Sequence, residues 1–155
     1  MTPVLGKARK AGFRMSVIYW DTMLFIYWVE EHPVLAERVR RIHSRMEERK
    51  DTLCTSSFTV GETLAGLYKT GEREMVHRVR EFFRPPFVKV LPFTETAADQ
   101  YASIRAELGV APPDAIHLAC AAEAKVDLFL TNDRSLANRI VPGIQFIAGL
   151  DSDIL

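Results

Sequence analysis

Four acidic residues sit where metal-assisted phosphodiester chemistry would use them. Asp21 follows the apolar run Val17-Ile18-Tyr19-Trp20. Glu62 opens a helical segment just after Leu53-Cys54-Thr55-Ser56. Asp114 opens another, in Pro112-Pro113-Asp114-Ala115-Ile116-His117-Leu118-Ala119. Asp133 follows Leu128-Phe129-Leu130-Thr131-Asn132. Two of the four follow strand ends and two begin helices. In an open parallel α/β sheet those places share one edge, so residues far apart in sequence converge there. Clustered carboxylates repel one another unless a cation neutralises them, and hard oxygen ligands of this kind select Mg²⁺ or Mn²⁺. Such a set is what a metal-dependent nuclease would use.

The elements that must position these acids alternate. Strands are expected at Ser16–Trp20, Leu53–Ser56, Phe87–Leu91, Asp127–Thr131 and Ile144–Ala148, all short and almost wholly apolar. Helices are expected at Thr22–Glu30, stopped before Pro33, and at Val34–Lys50 from its apolar periodicity. Further helices run from a Thr59 cap to Thr70 with Gly71 as the stop, and from Glu72 to Phe83. Thr94 caps a helix to Leu108 closed by Gly109; Pro112 or Pro113 starts the next, to Lys125; a short one spans Ser135–Ile140. This order predicts a parallel sheet with helices on both faces.

Each acid also has a purely structural reading. Asp21 suits a helix N-cap. Thr59-Val60-Gly61-Glu62 fits a capping box, in which Glu62 bonds back to the cap amide. Asp114 lies in a first turn, where the helix dipole favours negative charge. Asp133 suits a cap for Ser135 or an Asn-Asp turn. His117 lies one turn beyond Asp114. It either touches that carboxylate or a substrate, or packs as a partly buried histidine under the site. The run Arg38, Arg40, Arg41, Arg45, Arg49, Lys50 reads as a solvated helix face or as a phosphate-binding patch. Trp20, Phe25, Tyr27 and Trp28 read as core or a subunit interface, and base stacking is the weaker use. The same Trp20–Trp28 segment offers apolar surface for a partner to cover.

Bulk properties narrow the field. A chain of 155 residues suits one domain with one core. Twenty basic residues balance twenty acidic ones, which argues against attachment to nucleic acid by charge alone. A nuclease stays open, because a bound ion can bring positive charge to the phosphate. Cys54 and Cys120 read as small buried apolar residues, and no CxxC or HExxH zinc pattern is present. No apolar stretch approaches the length of a membrane span, and the run before Asp21 is too short for a signal-peptide core, so a cytoplasmic location is expected. Residues 1–15, with Lys7, Arg9, Lys10 and Arg14, read as an extension ahead of a domain at 16–155, flexible or owed to an upstream start.

Four segments carry a family resemblance: Val17-Ile18-Tyr19-Trp20-Asp21-Thr22, Ser57-Phe58-Thr59-Val60-Gly61-Glu62, Pro113 to Ala119, and Leu130-Thr131-Asn132-Asp133. From Ser16 to its end the chain resembles the PIN-domain nucleases, and most closely the VapC-type toxins of toxin–antitoxin pairs. The resemblance implies a three-layer α/β/α fold with a central parallel sheet, divalent-metal-dependent ribonuclease activity, an antitoxin partner and a homodimer. It carries the family's four acids onto Asp21, Glu62, Asp114 and Asp133, as ligands of Mg²⁺ or Mn²⁺ that ready a water for attack on RNA. Met23 departs from the pattern, which commonly has Asn or Ser at that place. A PIN-like module that binds RNA or protein without cutting is the competing expectation. A phosphoaspartate enzyme is disfavoured, because no second Asp lies two residues beyond Asp21.

Overall fold

The computed structural model describes residues 15–153 and Leu155. The extension expected over residues 1–15 therefore lies, Met15 apart, outside the described residues. In chain order the elements are β1 (Val17–Trp20), α1 (Thr22–Val29), α2 (Leu35–Arg49), β2 (Thr52–Ser56), α3 (Ser57–Thr70), α4 (Arg73–Phe82), β3 (Lys89–Leu91), α5 (Glu95–Leu108), α6 (Pro112–Glu123), β4 (Leu128–Thr131) and β5 (Phe146–Gly149). The strands form one sheet in the order β3-β2-β1-β4-β5. Every pairing is parallel.

Side-chain alternation along the strands divides the core into two layers. Ile18, Trp20, Leu53, Leu128 and Leu130 face α1 to α4, against Leu24, Phe25, Val39, Met46 and Val79. Tyr19, Cys54, Phe129 and Ile147 face α5 and α6, against Ala97, Ile104, Ala115 and Leu118. The result is the expected three-layer α/β/α arrangement. Burying each large apolar side chain contributes roughly 1.5–3 kcal/mol, and both sheet faces supply them.

Trp20 and Phe25 are wholly buried, and Tyr27 and Trp28 pack on the same layer. Trp28 meets Phe82 and His43 at centroid distances of 5.7 and 5.1 Å. The Trp20–Trp28 segment is thus spent on the core, and of its side chains only Met23 is well exposed. Ile26, Tyr27 and Trp28 keep part of their surface exposed beside it.

Two local expectations also change. α3 begins at Ser57 with Ser56 as its N-cap residue, so Thr59 lies inside the helix, buried, and Glu62 closes no capping box. Ser56 caps without its side chain, because its hydroxyl is engaged by Tyr19. The segment 135–140 forms turns rather than a helix. Asn138 adopts φ +67° and its N–H donates to Ile147 O at 3.1 Å, which ties the chain to β5 instead of a helical ladder. Among the described residues no helix is long and apolar enough to cross a membrane.

Gly143 leads the chain into β5 at φ +99°, and a Cβ there would lie 2.7 Å from Ala122 O in α6. Both the positive φ and the close backbone approach require glycine. Gly143→Ala should lower stability by about 1–3 kcal/mol in urea denaturation. An unchanged midpoint would show that α6 and this loop are free to move apart.

Candidate metal centre

The direction of strand addition reverses at β1: strands are added on one side of it through β2, and on the other through β4. Crevices at such switch points lie outside the carboxyl ends of the strands. Asp21 and Asp133 follow the ends of those two neighbouring strands. Asp21 N–H donates to Leu130 O at 3.2 Å, which fixes the two ends together. α3 brings Glu62 and α6 brings Asp114 to the same edge. Pro112 and Pro113 occupy the first two positions of α6, where the missing N–H groups cost nothing, and Asp114 follows them.

Three of the structural readings hold alongside this convergence. Asp21 is the N-cap of α1, its Oδ1 accepting from Met23 N–H at 3.1 Å. Asp133 forms the turn, its Oδ1 accepting from Ser135 N–H at 2.9 Å and Ser135 Oγ at 2.7 Å. Asp114 lies in the first turn of α6, whose N-cap, Ala111, offers no side-chain oxygen. The Thr131 hydroxyl accepts from Asp133 N–H at 3.0 Å and hydrogen-bonds the Asp21 carboxylate.

Glu62 is held differently. Its Oε1 lies 3.1 Å from His117 Nε2 and also accepts from Thr22 Oγ1. The opposite ring atom, His117 Nδ1, lies 2.7 Å from the Tyr19 hydroxyl, which is 2.9 Å from Ser56 Oγ. His117 is therefore a buried residue beneath the site, bonded to Glu62 rather than to Asp114. Tyr19, Thr22, Ser56 and Thr131 were not singled out from the sequence. Only the alternation of β1, which turns Tyr19 toward the layer that carries His117, could have flagged one of them.

The electrostatics are uneven. Burial pushes Asp21 up, against the Thr131 hydroxyl, His117 and Met23 N–H, and the nearby Asp114 charge adds to the rise. Burial also raises Asp114, followed by repulsion from Asp133, with a weaker contribution from Glu62. Burial would raise Glu62 too, but the bonds from His117 and Thr22 outweigh it and hold it below the usual range. Neighbouring donors thus outweigh burial at Glu62 and fall short of it at Asp21, while at Asp114 repulsion adds to burial. An all-oxygen carboxylate set with surplus negative charge fits a hard divalent cation. Among the described residues, no three His, Cys, Asp or Glu side chains stand ready-placed to hold one.

Beside the acids runs a groove on the α2 side of the sheet. It comprises adjoining cavities of about 160 and 480 Å³ that share Arg38, Arg41 and Gly149. Arg45 lines the smaller, and Asn132 and Arg134, the neighbours of Asp133, line the larger. The basic run of α2 is therefore split. Arg40 and Arg49 pair with Glu37 and Asp51 at 3.6 and 3.0 Å. Arg38, Arg41 and Arg45 turn to the groove.

The PIN-domain family model matches residues 18–140, most of the chain and all four acids. The chain belongs to the PIN-domain family. No curated protein matches it by sequence. Its fold is similar to that of VapBC2 from Rickettsia felis bound to a promoter DNA fragment, with TM-score 0.70 and 16% identity over 86% of this chain and 98% of that one. It is similar to VapC20 from Mycobacterium tuberculosis, a sarcin–ricin loop cleaving toxin, with TM-score 0.65 and 16% identity over 79% and 96%. It also resembles a toxin–antitoxin complex from Klebsiella pneumoniae, with TM-score 0.63 and 18% identity over 82% and 94%.

Asp114→Asn tests the surplus charge in cation-free protein. A carboxylate raised in the folded state destabilises the fold increasingly as pH climbs from its unfolded value through its folded one. Asparagine cannot ionise. In EDTA near neutral pH the variant should therefore unfold at higher urea than the parent, and this advantage should fade below the unfolded aspartate pKa of about 3.9. A neutral-pH loss of stability instead would mean that the α6 dipole outweighs the repulsion.

Proposed function

We propose that this PIN-domain protein is a divalent-metal-dependent endoribonuclease of the VapC type, the toxin of a toxin–antitoxin pair acting in the cytoplasm. The observation that carries the proposal is the convergence of Asp21, Glu62, Asp114 and Asp133 on one switch-point edge, where burial and repulsion raise Asp21 and Asp114. Asp21 and Asp114 would hold Mg²⁺ or Mn²⁺, with Asp133 and Glu62 binding directly or through water. The bound ion would lower the pKa of a water and offset negative charge on the scissile phosphate. The residues around it do the rest. Thr131 and Met23 N–H orient Asp21, while His117 and Thr22 orient Glu62.

The arginine groove supports a polyanionic substrate. Net charge over the chain is zero, yet Arg38, Arg41, Arg45 and Arg134 line one channel that ends beside Asp133. Guanidinium forks match phosphate geometry, and the channel would lead a strand toward the acids. The antitoxin part of the proposal draws on the similar toxin–antitoxin complexes, and a homodimer is proposed from the family resemblance alone. A basic antitoxin side chain would be stabilised in the same acidic crevice that suits a cation.

Purified protein should cut structured RNA with Mg²⁺ or Mn²⁺ and stop on EDTA. The panel should include a sarcin–ricin loop stem, because VapC20 is described as cleaving that element. Asp114→Asn should lower the rate about a hundredfold or more with the fold intact. Cleavage undiminished by chelator would sink the metal mechanism, and RNA binding without any cleavage would favour the non-catalytic module.

The groove makes a separate prediction. Arg38→Ala with Arg41→Ala should weaken binding of single-stranded RNA and flatten its salt dependence, by about 0.7 in log–log slope for each phosphate no longer neutralised. An unchanged slope would remove the groove from the RNA path.

A further inference from the structure

We infer that Tyr19 and His117 are positioning residues, a buried relay that holds Glu62 in the orientation the proposed cation site needs. The inference rests on the proposed function only for what Glu62 does; the relay itself is geometric. Tyr19 is 0% exposed and His117 4%. The Tyr19 hydroxyl meets His117 Nδ1 at 2.7 Å, and His117 Nε2 meets Glu62 Oε1 at 3.1 Å. Thr22 Oγ1, 3.1 Å from Nε2, closes a triangle with the same carboxylate oxygen. The imidazole is also clamped between rings, with centroids 5.3 Å from Phe58 and 5.9 Å from Tyr19.

The arrangement has a direction. An ionised carboxylate only accepts, so Nε2 must carry the proton that faces Glu62. Both side-chain bonds fall on Oε1, which leaves Oε2 for another ligand. A glutamate on an open helical turn has three freely rotating side-chain bonds, and ordering it costs free energy at the moment of binding. The relay removes that cost beforehand by joining β1, α3 and α6. Tyr19 stands in an otherwise apolar strand, where phenylalanine would fill the same space beside Phe129 without needing polar partners. Its hydroxyl is the one feature of β1 that reaches the site edge through another residue.

Two substitutions separate positioning from simple packing. In His117→Gln the amide nitrogen falls near the place of Nε2, so the Glu62 bond is kept and the Tyr19 link is broken. In His117→Asn the amide falls near Nδ1, so the Tyr19 link is kept and the Glu62 bond is broken. Tyr19→Phe removes only the hydroxyl. Mn²⁺ affinity, read by titration calorimetry without RNA, should fall about tenfold in His117→Asn, which loses the Glu62 bond, and by a smaller factor, about threefold, in Tyr19→Phe. His117→Gln, which keeps the Glu62 bond and loses the same Tyr19 link, should weaken binding to the same smaller extent as Tyr19→Phe. Circular dichroism checks that each variant is folded.

A second readout needs no metal. In cation-free protein the His117 Nε2–H should give a slowly exchanging imidazole NMR signal, and Tyr19→Phe should speed that exchange about tenfold or more by unlocking the ring. Equal Mn²⁺ weakening in the Gln and Asn variants would overturn the inference. So would a Tyr19→Phe protein with unchanged Nε2–H protection. If the parent binds no Mn²⁺, the proposed function fails, and the exchange measurement alone then decides whether Tyr19 holds the relay.

Discussion

Parallel pairing is the constraint from which the rest follows. Two adjacent parallel strands cannot be joined by a tight turn, so the chain must cross over a face of the sheet each time. Every strand then ends, and the next helix starts, along one edge. Because β1 has β2 on one side and β4 on the other, the crossovers leave in opposite directions there and open a crevice. Four acids separated by up to most of the chain meet at it without any long loop. The two buried layers hold this geometry, since Trp20 and Tyr19, just before Asp21, fill opposite faces of the sheet.

The protein treats the four acids unequally. Glu62 receives hydrogen bonds from two side chains and is held in its charged form. Asp21 and Asp114 are raised by burial and share repulsion. Neutralising all four internally would have made a stable edge with no electrostatic reason to recruit an ion. Leaving Asp21 and Asp114 raised gives the folded state an electrostatic reason to attract an external positive charge. The helix starts moderate this cost, because the positive ends of α1 and α6 point at Asp21 and Asp114. Capping and ligand roles are thus compatible: a carboxylate uses one oxygen for the backbone and keeps the other.

The succession of strands and helices and their shared edge were legible in the sequence because they depend on local signals, namely apolar runs, Thr94 and Gly109 at helix ends, and the Pro-Pro start of α6. What escaped depends on residues distant in sequence. Thr59 suits a cap by its type, yet α3 starts earlier, after Ser56, whose hydroxyl is bonded by Tyr19, 37 positions away. Tyr19 and His117 are 98 positions apart, and no periodicity links them. The 135–140 segment carried a helical composition, but Asn138 bonds to β5 and leaves the helical region of backbone space. Phe87 reads as a strand residue and instead turns onto Phe82, at 4.8 Å between centroids, so β3 starts only at Lys89.

Met23 shows how the edge tolerates a departure from the family pattern. Asparagine or serine at that place would offer a polar side chain near Asp21. Here the side chain is 41% exposed and apolar. What holds Asp21 Oδ1 is the backbone N–H of residue 23, at 3.1 Å, and every residue except proline supplies that donor. The Thr131 hydroxyl adds a second bond from β4. The orientation of Asp21 is therefore fixed by helix capping and by the neighbouring strand, independently of which side chain follows at position 23. An apolar residue there changes what the crevice presents to an incoming ligand and leaves the carboxylate where the fold puts it.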